Sequence, residues 1–247
     1  MSQRYIPNPA LGPTTGAAHP NRHLASILSF RVFYRGHAVP KGYSGAVHFT
    51  TLIAACIAIG WGSMAQLGHP HTFDWLTIPV TLCIANFVEY HAHRGPMHHR
   101  VLGLGLIYMR HVRQHHRFFR SHAMETEEPR DLRVVFFPMA LLLFFFGLIA
   151  LPVGVIVLWV FGHNIAMFYG AAIAAYYLSY ECLHYTYHAP RDHWSKKFRV
   201  IRWLGENHQR HHDPRRMNQC NFNLTFPLWD WVYGTGRFSN ASNRPAR

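Results

Sequence analysis

Residues 134–188 read VVFFPMALLLFFFGLIALPVGVIVLWVFGHNIAMFYGAAIAAYYLSYECLHYTYH, a stretch with no Lys or Arg. It is more than twice the roughly 20 residues a helix needs to cross a bilayer. Gly162-His163-Asn164 marks a short turn that divides it into apolar runs at 134–162 and 163–187. The second run closes on His184 and His188, four residues apart and therefore on one helical face. The stretch is read as a membrane hairpin that delivers two imidazoles to the surface where it re-emerges.

The same pattern occurs earlier in the chain. Apolar runs at 46–67 and 74–92, joined by a turn around His69-Pro70-His71, end at His93. No Lys or Arg lies between 46 and 93, while residues 1–45 hold 5, residues 94–133 hold 8 and residues 188–247 hold 11. Lys and Arg mark cytoplasmic flanks, so all three basic stretches are placed on the cytoplasmic side and each hairpin must cross twice. Leu151-Pro152 could break the run at 134–162, but a third span there would put the two groups of histidines on opposite faces. The expected fold is all-α and integral to the membrane: four transmembrane helices as two hairpins, with a cytoplasmic helical cap holding a histidine-rich dimetal site.

Residues 1–45, with several Pro and Gly, are expected to form a cytoplasmic, partly irregular arm. Residues 46–235 are expected to form one membrane domain, and 236–247 a flexible tail. Both termini are expected to be cytoplasmic, and no cleaved signal peptide is indicated. Of 247 residues 49% are hydrophobic and 14% charged; the mean hydropathy near zero averages long apolar runs with very polar segments. The net charge of +13 flanks the spans instead of forming a recognition motif, so anionic lipid headgroups are its expected neighbours and nucleic acid is not. Cys56, Cys83, Cys182 and Cys220 form no Cys-x-x-Cys pair and are read as packing residues.

Ten of the 21 histidines fall in four clusters: His93 and His98; His111, His115 and His116; His184 and His188; His208, His211 and His212. Helical spacing lets His184/His188, His208/His211 and His111/His115 each aim two nitrogens at one point. His93 and His98 lie about 140° apart on a regular helix, and Gly95-Pro96 between them is expected to break it and swing both rings together. Adjacent His115-His116 and His211-His212 diverge by about 100° and so suit two ions side by side. Two octahedral ions want roughly twelve donors, leaving about two positions for water or dioxygen. Glu89 and Glu181, one turn before His93 and His184, are candidates to accept a ring N–H from a ligand, or else to pair with a cation such as Arg94. His19, His23, His37, His48, His69, His71, His163 and His193 are read as ordinary histidines, while His91, His99 and His122 flank the clusters off their spacing.

From Glu89-Tyr90-His91-Ala92-His93-Arg94 to Asn221-Phe222-Asn223-Leu224-Thr225-Phe226-Pro227-Leu228-Trp229-Asp230-Trp231-Val232-Tyr233-Gly234-Thr235 the chain resembles the fatty acid hydroxylase (sterol desaturase) superfamily. The resemblance implies a ligand role for all ten clustered histidines and two iron ions as cofactor, with zinc an alternative occupant on isolation. It further implies dioxygen as cosubstrate, a lipid substrate and a small redox protein as electron donor. The implied reaction is oxidation of an unactivated C–H bond, to an alcohol or, by loss of a second hydrogen, to an alkene. One departure stands out: three residues separate His111 from His115 where many members have two, and Arg110, a permanent cation, cannot substitute for His111.

Two other functions compete. A membrane metal transporter or sensor needs ionisable ligands along a path through the bilayer, and the first and third spans carry only His48, at an end. A membrane cytochrome needs single histidines facing one another within spans, and these are clustered outside them. Phe118, Phe119, Trp194 and Trp203 are candidates to line a lipid channel or to pack.

Overall fold

A computed structural model describes residues 20–237. The first nineteen residues of the expected arm, and nearly all of the expected tail, lie outside them. The described chain is helical, and its one bridge of extended backbone pairs Arg120 with Ala123. Helix α1 (Pro20–His37) is followed by α2 (Gly45–Ala65), then a 3₁₀ turn (Thr72–Leu76) leads into α3 (Thr77–Ala92). A π-helical turn (His93–Met97) ends this unit. The chain continues through α4 (Gly105–Tyr108), a second π-helical stretch (Met109–His115) and α5 (His116–Phe118). After α6 (Leu132–Val135) come α7 (Met139–Phe144), a third π-helical stretch (Phe145–Ala150) and α8 (Leu151–Phe161), then α9 (His163–His188), α10 (Arg199–His211) and α11 (Leu228–Val232).

Local chemistry sets the boundaries. Ser44 caps α2, its hydroxyl accepting from the Val47 N–H at 3.3 Å. Gly162, at φ +92°, makes the tight turn between α8 and α9 at the place the sequence marks. Leu151-Pro152 does not break the run, in keeping with the single span expected there: the π-helical stretch before it absorbs the proline and the helix runs on. The run expected to start at 134 does break, at Phe137-Pro138, because a residue before proline is pushed out of the helical region. Val134, Val135 and Phe136 instead join a buried cluster with Phe30, Tyr34, Phe118 and Phe119.

Two of the expected spans, Gly45–Ala65 and the run Pro129–Phe161, are long and apolar enough to cross a membrane. The α7–α8 unit exposes Leu143, Leu148, Ile156 and Val160, an apolar surface of the kind a helix turns towards lipid. Helix α9 is the hub, packed against α2, α3, α8 and α10. Its approach to α2 depends on small residues at helical spacing: a Cβ on Gly170 would sit 2.6 Å from Ser63 Oγ, and Gly60 faces the Ala174 methyl. Residues 20–37 depart from the irregular arm expected of them. They form a helix whose Ile27, Phe30, Arg31 and Tyr34 are buried against the loop that follows α5.

Candidate metal centre

All ten clustered histidines are buried, none more than 5% exposed. They form two adjacent groups. Ring nitrogens of His93, His98, His111, His116 and His211 lie within 4.8 Å of one another, as do those of His115, His184, His188 and His208. His212 adjoins the second group, its Nε2 at 3.0 Å from His208 Nε2 and 3.2 Å from His115 Nε2.

Two pairings expected from spacing are split. His111 and His115 belong to different groups, as do His208 and His211. The reason is the π-helix. Its i→i+5 bonding brings residues five apart together, so His93 joins His98 and His111 joins His116, each pair linked through a π-helical stretch. Gly95-Pro96 therefore widens the helix where a break was expected. Regular four-residue spacing serves the second group, in His184/His188 and His208/His212. Adjacent His115 and His116 part to different groups, as their angular separation requires. His111, the position that departs from the family spacing, has the most contacts in its group: its Nε2 lies 2.9 Å from His93, 3.2 Å from His98 and 3.0 Å from His116.

The protonation of the rings is fixed from outside. A backbone carbonyl only accepts, so a ring nitrogen bonded to one carries the proton. His93 Nδ1 donates to Phe222 O, His211 to Cys220 O at 2.9 Å, His115 to Val134 O at 3.0 Å, His188 to Met124 O and His212 to Phe119 O at 2.9 Å. His98 Nδ1 donates to Asn218 Oδ1 at 2.9 Å. Each Nε2 of these neutral rings is then a bare lone pair, and the lone pairs point at one another. His98 and His211 approach to 3.0 Å, His115 and His212 to 3.2 Å. Such pairs repel unless a cation lies between them. Two cis ligands held at about 2.1 Å from one ion are roughly 3.0 Å apart, which matches this spacing. The donor set therefore fits metal, and two ions better than one.

Burial also keeps these rings neutral. It holds His98 down to about 4 and His115 to about 3, with neighbouring imidazoles adding to the effect. His93, His111, His116, His188, His208, His211 and His212 lie well below the ordinary histidine value for the same reason.

Neither Glu89 nor Glu181 touches a histidine ring. Glu89 accepts from the backbone N–H of Leu224 and Thr225, and from the hydroxyls of Thr225 and Tyr176, pinning the C-terminal segment to α3. Glu181 accepts from the Phe137 N–H at the break before α7. Backbone carbonyls take the orienting role expected of these carboxylates. That of Phe222 is held by Asp230, whose carboxylate accepts from Phe222 N (3.0 Å), Asn223 N (2.8 Å) and Thr235 Oγ1 (2.7 Å), and that of Cys220 by its own peptide's Asn221 N–H, which donates to the carbonyl of the same Thr235 at 3.2 Å. Asn221 between them adopts φ +57° with its side chain bonded to Asn207 O. Trp229-Asp230 and Gly234-Thr235 fall within the stretch that carries the family resemblance, but a carbonyl that orients a ligand leaves no side-chain signature.

An apolar cavity of about 710 Å³ leads to the first group. Its walls are α3, α7, α8 and α9, running from Phe73 and Phe161 to Ala92, His93 and Met97. Phe118, Phe119, Trp194 and Trp203, expected as channel candidates, are not in it. Phe118 and Phe119 are fully buried packing residues, Trp194 is exposed beside Phe198, and Trp203 packs against the Tyr180–Leu204 cluster. His91, His99 and His122 are exposed, and all four cysteines are free.

Comparison with known proteins follows the same direction. The family model described as fatty acid hydroxylase matches residues 78–235. No curated protein sequence matches the chain. Among solved structures, one titled full-length Scs7p, with only its hydroxylase domain visible, is similar in fold: TM-score 0.54, 17% identity, covering 83% of this chain and 69% of that one.

Proposed function

The chain belongs to the fatty acid hydroxylase family, and from that premise we propose that it is a membrane-bound non-haem diiron oxygenase that hydroxylates, or desaturates, an unactivated C–H bond of a lipid. One observation carries the reading: ten buried histidines turn their Nε2 atoms towards two adjacent points, and the six whose Nδ1 has an acceptor donate that proton away and leave a bare Nε2 lone pair facing inward. His93, His98, His111, His116 and His211 would hold one ion, and His115, His184, His188, His208 and His212 the other. The chemistry that bound iron supplies is activation of dioxygen, with electrons from an external small redox protein. Zinc is an alternative occupant of the same nitrogen set on isolation.

The protein's own part is to bind, orient and keep dry. The cavity walls are apolar along their length, so an aliphatic chain is stabilised there and water is excluded. Because the cavity ends at His93 and Met97, a chain lying in it presents its C–H bonds beside the first group. The carbonyls of Phe222 and Cys220 hold His93 and His211 in one tautomer and one orientation, so no reorganisation is needed when substrate arrives.

In the proposed topology α2, α3, α7–α8 and α9 cross the bilayer as two hairpins within one domain at 46–235, with both termini and the metal centre on the cytoplasmic side. Trp61, Trp75 and Trp159 are exposed near the opposite turns, where an aromatic belt is expected. A transporter would string its ligands across the bilayer, whereas all ten rings share one buried site. The test is lipid mass spectrometry of a host with and without the protein. The expected result is a lipid species gaining one oxygen or losing two hydrogens, abolished by His211→Ala; an unchanged lipid profile across several hosts contradicts the proposal.

A further inference from the structure

Helix α1 lies outside residues 78–235, yet it sends a charged side chain into the interior beside the second histidine group. We propose that Arg31 is a positioning residue for that group alone. This rests on reading the group as a metal site.

The Arg31 side chain is buried, 3% exposed. Its Nε donates to Phe118 O at 3.1 Å, its Nη2 to Ala123 O at 2.8 Å and its Nη1 to Glu127 Oε1 at 2.5 Å, and its guanidinium lies over the Phe118 ring at 4.9 Å. The two backbone acceptors bracket a tight loop closed by the Arg120–Ala123 bridge. Next to each bracket stands a carbonyl that orients a ligand: Phe119 O accepts from His212 Nδ1, and Met124 O from His188 Nδ1, both at 2.9 Å. Thr126 N also bonds His188 O at 2.8 Å. In the first group, His93, His98 and His211 take their orientation from elsewhere, donating to Phe222 O, Asn218 Oδ1 and Cys220 O, and His116 Nδ1 has no partner in this loop. One guanidinium fork thus fixes the spacing of two carbonyls, and through them two rings. A lysine could not do so, since its compact ammonium lacks the planar fork that meets several acceptors at once.

The experiment measures metal per chain, and release to a chelator, on purified full-length protein loaded with Zn²⁺ alone. Wild type is expected to hold two equivalents; fewer than two overturns the reading of the histidines themselves and is distinguishable from failure of the clamp. Arg31→Ala should bind the second equivalent 10–100-fold more weakly, the usual consequence of losing a partner that orients a ligand, with the first unchanged. Combined with His184→Ala it should cost no further metal, and combined with His98→Ala it should leave a single equivalent, held 10–100-fold more weakly than in His98→Ala alone. Glu127→Gln, which spares both carbonyl contacts, should keep both equivalents tightly. If Arg31→Ala does not fold, Arg31→Lys serves: faster release of one equivalent only is expected. Two equivalents held as in wild type, both weakened equally, or Glu127→Gln matching the Arg31 variants would each overturn the proposal.

Discussion

At the scale of single residues, function rests on which nitrogen of each ring carries the proton. Asp230 illustrates the reach of that control: it touches no histidine, yet it holds the backbone whose carbonyls orient His93 and His211. Asp230→Asn is expected to weaken the first metal equivalent about 10–100-fold, in the range for orienting partners, and His111→Ala to weaken it further, since that ring meets three others. Competitive titration with a chromogenic chelator measures both. Proton linkage has a definite sign here. Burial lowers His98 to about 4 and His115 to about 3 from 6.5, so the unfolded chain binds more protons between those values. Stability of the metal-free protein is therefore full above about pH 6.5 and is lost as pH falls towards 4 and 3. Circular dichroism across that window should show acid unfolding; stability that is flat from pH 7 to 4 contradicts this account.

At the scale of elements, the π-helices explain why spacing could be read only in part. The sequence places the ten histidines and their four clusters, and the hairpin turn at Gly162 falls where its glycine indicates. It does not place the partition between groups, because the periodicity applied to His111, His115 and His116 was that of a regular helix while the chain there bonds i→i+5. A π-helical stretch is in effect a one-residue insertion in an α-helix. Deleting Val112 should then restore regular bonding, leave the two flanking rings four apart and retain both metals. Deleting Thr186 from α9, regular throughout, rotates His184 against His188 by about 100° and should release the second metal. Metal content of the two deletion variants distinguishes these outcomes, and equal loss from both would remove the π-helix from the explanation. Glu89 and Glu181 depart from expectation for a related reason: helical position sets them one turn from a ligand, but segments distant in sequence, Leu224–Thr225 and Phe137, take their hydrogen bonds.

At the scale of the whole molecule, two apolar hairpin units and a basic, histidine-bearing cap are combined around α9, which carries small residues towards α2 and ligands towards the cap. The two stretches long and apolar enough to cross a membrane, Gly45–Ala65 and Pro129–Phe161, were legible in where Lys and Arg are missing. The apolar cavity was not, because it is made of ordinary apolar residues whose joint curvature has no sequence signal. Ile173→Trp fills part of that cavity; turnover of long-chain lipid is expected to fall by at least roughly tenfold, the equivalent of about 1.4 kcal/mol in the barrier, with metal content unchanged. Loss of metal together with turnover would show that the cavity wall and the centre are not separable. The most direct test of the central claim is metal stoichiometry by elemental analysis of anaerobically reconstituted protein. Two irons per chain are expected in wild type, one in His98→Ala and one in His184→Ala; a single iron in wild type, or loss of both from either variant, contradicts two separate five-histidine sites.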